Sequence, residues 1–97
     1  MAVHQLTITL TGSAQPLSST TNPSINARWA SIESETGNSA VAVGTSVVTA
    51  TSYGSQVLAG PAARLILNPS DGNLCIGLNT TYVIGTANQV IHVLYIL

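Results

Sequence analysis

Leu6, Ile8 and Leu10 alternate with Gln5, Thr7, Thr9 and Thr11. That period of two predicts a strand with one buried face and one hydroxyl-lined face. Residues 12–26 then form a long Ser/Thr/Asn/Pro stretch in which only Leu17 and Ile25 are apolar anchors. It is expected to be a loop, and loops of that length in small domains usually carry function or move. Residues 27–34 make the next expected strand, with Trp29 and Ser31 on one face and Ala30 and Ile32 on the other.

Short strands are expected at 40–43, 47–51, 56–59, 63–67, 74–78 and 82–84, because Val, Ile and Thr cluster there between Gly, Asn, Ser and Pro. Turns are expected at 35–38, 52–54, 60–61, 68–72 and 85–88, the strongest being Asn68-Pro69-Ser70-Asp71-Gly72. The last segment, 89–97, is apolar on both faces apart from His92. Such a run is either a central strand covered on both sides or an edge paired with another chain. No segment has a convincing helical period. The pattern predicts one all-β domain over 1–97: a β-sandwich, or a jelly-roll-like small barrel, of about eight short antiparallel strands.

Charge changes this picture. The chain holds two Arg, no Lys and three acidic residues, for a net charge of −1. Arg28, Arg64, Glu33, Glu35 and Asp71 are the whole set. A folded chain of this mass exposes roughly 5,200 Å², about one charge per 1,000 Å². An interface of standard size hides about 800 Å² per partner, so most such patches would carry one charge or none. Covering one costs little charge desolvation, and little repulsion keeps copies apart. Disorder does not fit a composition that is 45% hydrophobic, with mean hydropathy +0.41. The longest apolar run, 90–97, is far shorter than the roughly 20 residues of a spanning helix. The start of the chain lacks a basic, apolar leader, so synthesis in a cytoplasm is expected. The lone cysteine, Cys75, forms no intrachain disulfide. Asn79-Thr80-Thr81 is a chance sequon in that setting.

Catalytic parts are scarce. Glu33 and Glu35 are two apart on one strand and so share a face, where paired carboxylates could act as acid and base, though a solvated outer face is the simpler reading. His4 and His92 lie on the first and last strands, which are often neighbours in sandwiches. A zinc site needs three or four ligands, so Cys75 or Asp71 would have to join them, and satisfied or surface histidines are expected instead. There is no G-x-S-x-G elbow and no phosphate-binding glycine motif. Two arginines cannot neutralise the phosphates that nucleic acid presents. No enzyme activity, cofactor, metal, nucleic acid, membrane or small-molecule substrate is expected. Trp29 beside Arg28 combines two residue types enriched at interface hot spots. Packing of Trp29 into a core without Phe is the leading expectation, with Arg28 turned to solvent. Arg28, Trp29, Tyr95 and Leu97 are the interface candidates.

Arg28-Trp29 through Ile32, Val41-Ala42-Val43-Gly44, Tyr53-Gly54, Leu58-Ala59-Gly60-Pro61 and Val93-Leu94-Tyr95 follow a loose pattern: R-x-x-x-I, V-x-V-G, x-x-G-x-x-L-x-x-G and V-x-Y. In this the chain resembles small all-β virion proteins of tailed bacteriophages. The resemblance implies a head decoration or cement protein on the capsid surface, bridging neighbouring capsomers as a homotrimer bound to the major capsid protein. A small tail, baseplate or fibre-attachment protein is the alternative, and a carbohydrate-binding β-sandwich module, with an exposed aromatic to stack on sugar, is the second. The low charge and the long Ser/Thr loop depart from the family pattern.

Overall fold

The computed structural model describes residues 3–18, 26–35, 39–57, 64–68 and 76–97. Ten strands lie within them: β1 (Val3–Thr9), β2 (Gln15–Pro16), β3 (Asn26–Ala27), β4 (Trp29–Ser34), β5 (Val41–Gly44), β6 (Ser55–Val57), β7 (Arg64–Leu67), β8 (Ile76–Gly77), β9 (Tyr82–Ile84) and β10 (Val90–Ile96). The described residues contain no helix. All pairings are antiparallel.

Two four-stranded sheets run β1-β10-β4-β7 and β2-β9-β5-β6, and β3 pairs with β8 in a small ladder of its own. Setting that ladder aside, the eight remaining strands follow the order 1-8-3-6 in one sheet and 2-7-4-5 in the other. This is the strand order of a jelly roll. Most consecutive strands cross from one sheet to the other, so each sheet is built from segments distant in sequence.

Alternation decides what goes inside. In the first sheet Ile91, Val93 and Tyr95 of β10 and Ala30 and Ile32 of β4 are buried, and Leu6, Ile8, Leu65 and Leu67 pack against them. Val41, Val43, Val57 and Val83 of the second sheet join this core, as do the deeply buried Leu10, Leu17, Ala27 and Leu78. With no Phe in the chain, aliphatic and β-branched side chains fill the space between the sheets. Inner-face His4 and Tyr95 are directly opposite one another and stack, with ring centroids 5.2 Å apart and planes 17° from parallel.

Several expectations are corrected. Segment 47–51 is not a strand but a tight double turn, closed by Val48 N–H to Thr45 O (2.9 Å) and Thr49 N–H to Ser52 O (2.9 Å). The stretch 12–26 is not one loop: Gln15–Pro16 pairs with β9, and Leu17 reaches the core as expected. The strand expected at 27–34 is interrupted at Arg28. The final strand is no edge, since β1 lies on one side of it and β4 on the other. Nor is it covered on both sides, because Leu94 is 38% exposed. Ile25, Asp71, Leu74, Cys75, the turn expected at 60–61 and all but the first residue of the turns expected at 35–38 and 68–72 lie outside the described residues.

The 85–88 turn forms where it was expected. Asn88 takes a positive φ of 71°, a conformation Asn tolerates better than most residues. Its N–H donates to Leu10 O (2.8 Å), and Gln89 O accepts from Leu10 N–H (2.7 Å). Gly85 opens this turn against the core. A Cβ there would lie 2.7 Å from Leu10 Cδ1 and 3.3 Å from Val41 Cγ2, and neither side chain has room to retreat, being 1% and 0% exposed. Gly85→Ala is therefore expected to destabilise the domain by about 1–3 kcal/mol, despite the entropy that alanine removes from the unfolded chain. Urea unfolding would measure it, and an unchanged midpoint would mean that the Leu10 corner is looser than its burial indicates.

Candidate functional site

The outer face of the β1-β10-β4-β7 sheet gathers most of the side chains with chemical or binding potential. Register fixes its rows: Thr7, His92, Glu33 and Arg64 lie side by side, then Gln5, Leu94, Ser31 and Ile66, then Val3, Ile96 and Trp29. Glu35 follows β4, held by its N–H donating to Val90 O (3.4 Å).

The first row is polar. His92 Nε2 lies 3.2 Å from Glu35 Oε2, and His92 Nδ1 lies 3.5 Å from Thr7 Oγ1. A neutral ring protonated on Nε2 satisfies both contacts, donating to Glu35 and accepting from Thr7. Glu33 Oε2 stands 4.0 Å from Arg64 Nη2. These four charged or titratable side chains are 38–50% exposed, and surface pairs of this kind contribute about 0–1 kcal/mol. Arg64→Ala should accordingly change the unfolding free energy by less than about 1 kcal/mol. A larger loss in a denaturant titration would reveal a role beyond the ion pair. Glu33 and Glu35 do share one side of the sheet, as their spacing requires, but each faces a cationic or hydrogen-bonding partner. Between the polar row and Leu94 runs an open depression of about 450 Å³, floored by Ser31.

The next rows set aliphatic groups beside the polar Gln5 and Ser31. Val3 is 63% exposed, Ile66 52% and Leu94 38%. Two or more rows of one sheet face thus carry aliphatic groups at the surface, beside a polar margin. Elsewhere, Val47 (79% exposed) and Tyr53 (45%) form a smaller apolar feature on the 45–54 turn.

The four interface candidates do not converge. Arg28 is exposed in the break between β3 and β4, its N–H donating to Ile96 O (2.7 Å). Trp29 does not fill the core: it lies across from Ile96 on the outer face, partly buried, while Ala30 points inward. Leu97 follows the end of β10 and is exposed. Tyr95 turns the other way and is 7% exposed against His4, so it is withdrawn from the face that carries Trp29. His4 and His92 sit on neighbouring strands but on opposite faces of the sheet, which keeps them from forming a joint site. Among the described residues no group of three or more His, Cys, Asp or Glu could hold a metal ion, and no helix is long and apolar enough to cross a membrane.

Leu94, Ile66 and Val3 were not singled out by sequence, although a signal was available. His92 marks the outer parity of β10, and Leu94 and Ile96 share that parity. No protein-family model matches the chain, and comparison with curated proteins and with solved structures returned no match.

Proposed function

We propose that the protein is a non-catalytic structural component of a virion, of the head-decoration or cement type, which lies on a capsid surface through the outer face of its β1-β10-β4-β7 sheet. The observation that carries the reading is the exposed apolar set Val3, Ile66 and Leu94 on one face of a jelly-roll sheet. A contiguous apolar patch with a polar rim is the usual mark of a protein-binding surface. The polar row supplies that rim, where Glu33 faces Arg64 and Glu35 accepts from His92, so neither carboxylate lacks a partner. Each contact on such a face is weak, and many copies on a repeating shell would give durable attachment through avidity.

The direct test mixes the purified protein with shells that lack it and pellets them. Cosedimentation at a fixed number of copies per shell, together with raised resistance of the shell to heat, is the expected result. Protein that stays in the supernatant at every concentration sinks the assignment. Immunolabelling of whole particles distinguishes head from tail or fibre.

A further inference from the structure

The first sheet ends in two edges, β1 and β7, and the second in β2 and β6. Three of these edges are blunted by devices that keep strands from pairing with other chains. β2 is two residues long and contains Pro16, β6 is three residues long, and β7 is four residues long and carries Arg64. β1 has none of these protections. It runs seven residues, Val-His-Gln-Leu-Thr-Ile-Thr, without a charge, a proline or a lysine.

The direction of its backbone groups follows from the hydrogen bonds at its end. Leu10, the next residue, both donates to and accepts from the strand-side turn at Asn88 and Gln89. Backbone groups alternate in direction along an antiparallel strand. His4, Leu6 and Ile8 therefore face β10, and Val3, Gln5, Thr7 and Thr9 turn their N–H and C=O away from it. Thr9 shows this parity directly, since its carbonyl accepts from Gln15 Nε2 (3.3 Å) on the far side. The same Gln15 side chain accepts from Thr11 N–H through Oε1 (3.0 Å). Gln15 thus caps the C-terminal end of the edge. Among the described residues nothing caps Val3, Gln5 or Thr7.

We propose that two copies of the chain pair antiparallel through β1 about a two-fold axis at Gln5, which joins their first sheets into one. The three open residues make a self-complementary set: Val3 faces Thr7 of the other copy, Gln5 faces Gln5, and Thr7 faces Val3. About six backbone hydrogen bonds result, and the cap at Gln15 stops the ladder there. The side chains match as well, with a β-branched residue opposite a β-branched residue at each end and an amide pair at the axis. No like charges meet. A two-fold axis normal to the sheet leaves both outer faces on the same side, so the pair presents twice the apolar footprint of one copy. The two-fold closes, and the assembly is a dimer in place of the trimer that the sequence resemblance implies.

Sedimentation velocity from about 5 to about 500 µM, with amide hydrogen exchange at both ends of that range, tests the pairing. The expected result is reversible formation of a species of twice the 9.9 kDa chain mass, with protection of the Gln5 and Thr7 amides that grows with concentration. Gln5→Pro removes an outward N–H and no ladder bond within the chain, and Gln5→Lys sets two cations opposite each other. Each is expected to weaken pairing by roughly tenfold or more while leaving the circular dichroism of the monomer unchanged. If Gln5→Pro does not fold, the lysine variant and exchange on the unaltered chain decide. A monomer throughout, a trimer, or a dimer that neither variant weakens overturns the proposal.

Discussion

Ile32→Ala is expected to remove about 3 kcal/mol of stability. Ile32 is fully buried in the middle of β4, where β10 flanks it on one side through Val93 and β7 on the other through Leu65. Shortening it leaves a void among the small and medium aliphatic groups that, with Tyr95, form the core among the described residues. A domain of this size has only about 5–15 kcal/mol in total, and each kcal/mol is worth about 4–8 °C in melting temperature. The variant should therefore melt roughly 12–24 °C below the parent. Paired thermal and urea unfolding would check this, and a loss under about 1 kcal/mol would mean that the two sheets close over the gap.

Leu94→Asp should leave the fold intact and abolish attachment to a shell. Leu94 stands in the central row of the outer face, between Gln5 and Ser31, and its side chain is already part-exposed. An aspartate there remains hydrated in the free protein. Once the face is covered, the carboxylate loses its water without gaining a partner, at about 2–4 kcal/mol. That corresponds to roughly 30- to 700-fold weaker binding per copy. Cosedimentation with shells should fall to background while the unfolding midpoint moves little. Undiminished binding would remove this face from the proposed docking surface and shift attention to Val47 and Tyr53.

The features that sequence made legible are local ones. β1 follows its alternation, with the odd positions out and His4, Leu6 and Ile8 turned in. The parity of Trp29 and Ser31 against Ala30 and Ile32 also holds. The all-β class follows from that grammar and from the abundance of branched residues. Failures came where a residue's preference was real but a turn bond or the strand's parity overrode it. Val47 and Val48 favour strands intrinsically, yet the turn bonds at Thr45 and Ser52 take them out of the ladder, leaving one exposed and one buried. A core without Phe favours Trp29 inside, but the parity of β4 puts it on the face opposite the core. The doubly apolar composition of β10 is compatible with an edge, a covered centre or a half-open centre, and only its pairing with β1 and β4 separates them. The uncapped part of β1 depends on Gln15, whose reach back to Thr9 and Thr11 has no sequence signature.

The pairing of the first strand with the last also orders events in time. Val3 meets Ile96 and Thr9 meets Val90, so this ladder closes nearly the full length of the chain. While the protein is being synthesised, β1 leaves the ribosome well before β10 and waits without its partner until that strand appears. During that interval both of its edges are open, and its apolar side chains lack their cover. Folds dominated by such distant pairings nucleate slowly, on the scale of about milliseconds to seconds. Neighbouring nascent chains on one message would each hold out the same sticky segment, and premature association there would compete with folding. The hydroxyl-rich outer positions Thr7 and Thr9, together with the histidine at position 4, keep that waiting strand more soluble than an all-aliphatic one would be.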